Sequence, residues 1–232
     1  MTEQGAQARL LMVCRANVCR SPLSEFVATQ RFGGSGVAVS SAGTDAAVGQ
    51  TLCHQVEKAI AGRPGGADFA AQHRVTPLGA ARLATADLVL TASPRERSRI
   101  AMAHPWLRDR TFTLIEVERL LSSMPVTGPP TATLAELADL LNQQRWLAAD
   151  ENWPGHRRLW EVLDRRRPAI GLSIRDPHAA ERRPSHARVL QYTETLVGHV
   201  SDEILVRLGA RPRDEADAAQ AESGPGESRH AI

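Results

Sequence analysis

The stretch that most constrains the fold lies near the start of the chain. Leu10-Leu11-Met12-Val13 is an uninterrupted apolar run. It opens onto Cys14-Arg15-Ala16-Asn17-Val18-Cys19-Arg20 and then Ser21-Pro22. A short apolar run without alternation suits a strand buried on both faces. Pro22 suits the first turn of a helix, and Leu23, Phe26, Val27 and Phe32 are spaced to line one face of that helix. Later segments repeat the rhythm. Residues 37–40 read as a second strand ending in the turn Ser41-Ala42-Gly43-Thr44, and Leu52, Val56, Ala59 and Ile60 form the stripe of a second helix, stopped by residues 62–66. Residues 87–91 and 111–115 read as strands three and four. Strands alternating with helices predict an α/β fold, a parallel sheet with helices on both faces.

The rhythm breaks between residues 120 and 170. A Pro/Gly loop at 124–130 is followed by a helix at 133–147 carrying Leu134, Leu137, Leu140 and Leu141, then a tryptophan-containing helical stretch at 153–163. This reads as a helical insertion within a single domain spanning 8–208, not as a second domain. A long last helix, 184–208, buries Leu190, Val197, Val200, Ile204 and Leu208, and the polar tail 209–232 is expected to be disordered. The 28 Lys+Arg against 26 Asp+Glu exclude a chain whose main task is coating nucleic acid. No apolar run approaches the length of a membrane span, and the first residues lack the basic start and apolar core of a secretion signal. Three cysteines, Cys14, Cys19 and Cys53, cannot close a disulfide framework and suit a reducing cytoplasm.

The loop from Cys14 to Arg20 carries the chemistry. A loop leaving the C-terminal end of a parallel strand for a helix N-terminus turns backbone N–H groups toward one point, and the helix dipole adds partial positive charge. Cys14 begins that anion cradle. The amides, Arg20 and the Ser21 hydroxyl favour its thiolate, and such surroundings lower a cysteine pKa to roughly 3.5–7.5. Arg20 offers a planar fork for two phosphoryl oxygens. A nucleophile beneath an oxyanion clamp suits displacement at phosphorus.

On this loop, on Ser41-Ala42-Gly43-Thr44, on strand three and on Asp176-Pro177, the sequence resembles the low-molecular-weight protein tyrosine phosphatase family across most of residues 8–208. The resemblance implies a four-stranded parallel sheet and a cofactor-independent phosphatase working through a phosphocysteine. It implies Cys14 as nucleophile, Arg20 as the residue that binds phosphate and stabilises the transition state, and Asp176 as general acid. Arg15, Ala16, Asn17, Val18, Cys19 and Ser21 would surround the phosphate, with Ser21 supporting the thiolate and Asn17 and Ser41 holding the loop's shape. The implied partner is a phosphorylated protein, with a bacterial tyrosine kinase as one candidate, and a phosphate or other oxyanion would occupy the site. The family also implies a reversible Cys14–Cys19 disulfide, with a packing role for Cys19 as the alternative.

Several positions depart from the family pattern. Ala16 replaces the usual glycine, and Thr91-Ala92-Ser93 stands where relatives end strand three in Met-Asp, so a supporting polar contact is lost or replaced. His178 and Ala179 follow Asp176-Pro177 where aromatics often flank the substrate ring. Trp153, Trp146 or Trp160 of the insertion could supply that wall, against the simpler expectation that they pack the insertion onto the sheet. Competing functions are an arsenate reductase-like thiol enzyme, disfavoured because residues 80–108 contain no resolving cysteine, and a non-catalytic phosphate-binding regulator. A phosphoarginine phosphatase would favour threonine where Val18 stands. A zinc set of Cys14, Cys19, Cys53 and His54 lacks a paired knuckle and would sit beside Arg20, so no metal is expected. Cys53 is expected in the core, and His73, His156 and His186 in solvent.

Overall fold

The computed structural model describes residues 7–126, 129–149, 169–178 and 185–210. Strand β1 (Ala8–Cys14) leads through the Cys14 loop into helix α1 (Arg20–Phe32), then β2 (Val37–Gly43), and the short helices α2 (His54–Ile60), α3 (Gly66–Gln72) and α4 (Ala80–Ala84). Next come β3 (Leu88–Thr91), α5 (Pro94–Ala103), a 3-10 turn (Pro105–Arg110), β4 (Thr111–Thr113), α6 (Leu114–Ser123) and α7 (Leu134–Ala149). A two-stranded hairpin, β5 (Ala169–Ile170) with β6 (Ser173–Ile174), and the long helix α8 (His186–Arg207) complete the described chain. The main sheet is parallel throughout, in the order β2-β1-β3-β4.

β1 occupies the interior of this sheet, and residues Leu10 to Cys14 are at most 2% exposed. Alternate side chains feed two cores. Leu10 and Met12 join Leu23, Phe26, Phe112, Val197 and Ile204 on the face covered by α1 and α8, while Leu11 and Val13 join Leu83, Val89, Ile100 and Leu107 under α4 and α5. Helices thus cover both faces, as the alternating pattern requires.

Three boundaries and one buried face differ from expectation for physical reasons. β2 runs on through Ser41, Ala42 and Gly43, because each pairs in register with β1, ending at Cys14 opposite Gly43. β4 stops at Thr113, since that residue and Glu116 form a reciprocal capping box, making Leu114 and Ile115 the first turn of α6. Leu120 and Leu121, placed in the insertion by sequence, belong to α6 and the main core. In α7, Leu134, Leu137, Ala138 and Leu141 are buried while Leu140 is 39% exposed, because the helical period turns position 140 outward. α7 packs onto the large core. Arg145 fixes its later turns by donating to Glu116 Oε1 at 2.9 Å and the Thr111 carbonyl at 2.9 Å, with its guanidinium 3.8 Å above Phe112. The expected helix at 153–163, with Trp153, Trp160 and His156, and the tail from 211 onward lie outside the described residues.

Candidate active site

Four carbonyls of the Cys14 loop are bonded from three distant parts of the chain. The Cys14 carbonyl accepts from Thr44 N–H at 3.0 Å, Arg15 from Asp45 at 2.7 Å, and Val18 from Cys53 at 2.7 Å. The Asn17 carbonyl lies 3.1 Å from a ring nitrogen of His73. In a trans peptide the C=O and the following N–H point in opposite directions, and the described backbone contains no cis bond. These outward carbonyls therefore turn the amides of Arg15, Ala16, Val18 and Cys19 toward the concave side.

Asn17 is the hub. It is fully buried and is the one non-glycine residue with positive φ (55°) among the described residues. Its Nδ2 donates to Ser21 Oγ at 3.0 Å and Ser41 Oγ at 2.7 Å, and its Oδ1 accepts from Thr76 N–H at 2.8 Å. Asparagine tolerates this left-handed backbone because its short amide finds local partners. Ala16 has no such φ, so the departure from glycine there costs no left-handed strain. Gly43, at the end of the second strand, is required by close approach. A Cβ there would come within 2.7 Å of the Arg15 carbonyl and 2.8 Å of the Asn17 nitrogen.

Beneath the loop, Ser21 Oγ donates to Cys14 Sγ at 3.0 Å. Arg20 is 4% exposed, and its Nη2 pairs with Asp176 Oδ2 at 3.0 Å. Burial works against the Arg20 charge, but Cys14, Asp176, Glu96 and Cys19 around it outweigh that and hold the group above its usual range. Arg15 reaches outward to Asp45 at 3.4 Å, half exposed at the rim. The expected residues Cys14, Arg15, Ala16, Asn17, Val18, Cys19, Arg20, Ser21, Ser41 and Asp176 thus converge on one place, Asp176 through its ion pair with Arg20.

Several contributors carry no local sequence signal. Ile174 donates its N–H to the Ala92 carbonyl at 2.9 Å and accepts from Arg20 Nη1 at 3.1 Å, fixing the segment that bears Asp176. Ser93, at the departing end of strand three, caps α5 through Arg95 N–H and donates to the buried carboxylate of Glu96. Glu96 supplies negative charge near Arg20. Half-buried Glu25 accepts from Ser41 Oγ at 2.6 Å, and burial raises its pKa despite that bond. His73, expected in solvent, instead supports Asn17.

Cys53 is also placed differently from expectation. It stands half-buried just ahead of α2, with its sulfur beside Cys19 and His178. Cys19 donates to it, which together with burial pushes the Cys19 thiol up and, as the leading cause, brings Cys53 down to about 4. His178, after Asp176-Pro177, meets His186 edge-on with ring centroids 4.6 Å apart. Trp146 is 55% exposed beneath Arg108, a residue of the 3-10 turn that precedes β4. It therefore sits at the end of the sheet where strands begin, opposite the loop, and supplies no wall there.

No helix of the described residues is long and apolar enough to cross a membrane. The model of the family described as low molecular weight phosphotyrosine protein phosphatase matches residues 9–123. A probable low molecular weight protein-tyrosine-phosphatase, EpsP of Ralstonia nicotianae, is 31% identical over 123 residues, covering 53% of this chain and 81% of the relative. The low molecular weight protein-tyrosine-phosphatase Ptp of Acinetobacter johnsonii is 29% identical over 105 residues, covering 45% and 70%. The crystal structure of the Erwinia amylovora tyrosine phosphatase AmsI matches in fold, with a TM-score of 0.50 at 16% identity over 88% of this chain and 95% of that one. The chain belongs to the low molecular weight phosphotyrosine protein phosphatase family and is a cysteine-dependent phosphatase.

Proposed function

We propose that Cys14 is the nucleophile, Arg20 the transition-state clamp and Asp176 the proton donor in hydrolysis of protein phosphotyrosine. The observation that carries this reading is the Ser21 hydroxyl donated to Cys14 Sγ beneath a loop of inward-facing amides. A hydrogen bond donated to sulfur favours the thiolate, which is the attacking form. Arg20 turns its fork to the equatorial phosphoryl oxygens and releases Asp176 toward the leaving group. The Cys14 sulfur forms the S–P bond as the P–O bond to the phenolic oxygen breaks, and Asp176 supplies that oxygen's proton. Asp176 then takes a proton from water as water attacks phosphocysteine, the S–P bond breaks, and phosphate leaves. Amides fixed before the reaction begins stabilise charge without reorganisation.

The phosphotyrosyl substrate rests on the names of the relatives, which are tyrosine phosphatases. The partner is then a tyrosine-phosphorylated protein, and a bacterial tyrosine kinase is the first to assay. Turnover of p-nitrophenyl phosphate by wild type and Cys14→Ser tests the mechanism. A loss of about 10³-fold or more is expected, and a loss of tenfold or less overturns it. Matched phosphotyrosyl and phosphoseryl peptides test the substrate, and a preference for the seryl peptide overturns that part alone.

A further inference from the structure

Beside the phosphate loop, three ligand atoms of metal-binding type meet on residues far apart in sequence. The Cys19 and Cys53 sulfurs and one ring nitrogen of His178 all lie within 4.8 Å of one another. His186 extends the group, since its Nε2 is 3.3 Å from His178 Nε2. A tetrahedral zinc ion, with bonds of about 2.3 Å to sulfur and about 2.0 Å to nitrogen, sets neighbouring ligand atoms roughly 3.3–3.8 Å apart. The histidine pair already has that spacing, the two sulfurs and the His178 nitrogen need to draw together by about 1 Å, and His186, which stands outside that group of three, reaches a shared ion by turning its side chain toward the sulfurs.

Each ligand is held from behind. Cys19 closes the loop at the start of α1, and the Cys53 N–H is bonded to the Val18 carbonyl at 2.7 Å, which fixes the two cysteine backbones to each other. The His178 N–H donates to Asp176 Oδ1 at 3.0 Å, and His186 is the first residue of α8. Access is graded. Cys19 is buried, Cys53 is half-buried and His178 is exposed, so an ion enters from the histidine side. The Arg20 charge, which would oppose a cation, is engaged by Asp176.

We propose that Cys19, Cys53, His178 and His186 form a binding site for one zinc ion or a divalent ion of the same thiophilic, tetrahedral preference. Two thiolates and two neutral imidazoles balance the charge of the ion, and the protons of the cysteine thiols are released to solvent as the ion binds. Because His178 lies two residues from Asp176 and Cys19 adjoins Arg20, the ion ties the segment carrying Asp176 to the phosphate loop. The site does not use Cys14 and stands independently of the proposed mechanism.

The test is titration of the full chain, kept reduced by a non-chelating phosphine, with Co²⁺ followed by displacement with Zn²⁺. Wild type is expected to bind one Co²⁺ per chain, with thiolate-to-cobalt charge transfer and the intense visible bands of a tetrahedral centre. Cys14→Ser is expected to give the same spectrum. Cys53→Ser should weaken binding by more than the roughly 10–100-fold that loss of an outer partner costs. The exposed His178→Ala, which leaves both thiols in place, should keep charge transfer but lose affinity. Loss of binding on Cys14→Ser with retention on Cys53→Ser overturns the proposal, as does a cobalt spectrum without thiolate charge transfer in folded wild type.

Discussion

The Cys14 loop and helix α7 are both ordered, yet they are held by opposite means. The loop owes its shape to polar bonds from Ser41, Thr44, Cys53, His73 and Thr76, each reaching it across 24 residues or more of sequence. α7 is held by Leu134, Leu137, Ala138 and Leu141 sunk in the core, with Arg145 as a polar staple. Directional bonds fix atoms to the accuracy that chemistry needs, whereas apolar burial fixes an element in place and tolerates small shifts. A change in the loop should therefore be read in turnover, and a change in α7 in stability.

The sharpest way to separate the two is Arg20→Lys, which keeps the charge but loses the fork proposed to grip two phosphoryl oxygens. It is expected to lower kcat on p-nitrophenyl phosphate by about 10²–10³-fold with a nearly unchanged melting temperature. Gly43→Ala should come next. Its Cβ would collide with the backbone of Arg15 and Asn17, and displacement of the loop by about 1 Å should cost about 10²-fold in kcat. Leu137→Ala tests the other region. Denaturant unfolding should report a loss of about 2–3 kcal/mol, in the lower part of the range for buried leucine because Arg145 still anchors the helix. Turnover per folded molecule should hold, and a fall comparable to that of Gly43→Ala would dissolve the distinction.

Glu25→Gln should have the smallest effect. Burial holds the folded Glu25 pKa above its unfolded value. The folded state therefore binds the proton more tightly, and stability is lost as pH rises from the ordinary carboxylate range through the raised value. Glutamine keeps an acceptor for Ser41 but removes this slope. Unfolding measured from pH 4 to pH 7 should show a flatter profile for the variant, and an unchanged profile would remove Glu25 from the loop's support.

The two regions also differ in how far sequence exposes them. The proposed nucleophile, the loop and the helix start are contiguous from Cys14 to Pro22, so their chemistry can be read locally. Asp176 is an ordinary loop acid until a family pattern singles it out. Glu96, His73, Thr76 and Ile174 reach the site only because the strand order β2-β1-β3-β4 brings their loops to the same end of the sheet, and no local pattern records that order. In α7 the apolar spacing identifies a helix, but Leu140 and Ala138 exchange roles because a run of leucines does not reveal which side meets the core.

Ile174 has a consequence for what can be cleaved. Its peptide groups are bonded on one side to Ala92 and on the other to Arg20, so Asp176 hangs on a tether of two residues, at most about 7 Å when extended. With Asp176 as the proposed proton donor, the proton is delivered within a small radius set by that tether, and an ester is selected by whether its bridging oxygen falls inside that sphere once the phosphate is seated.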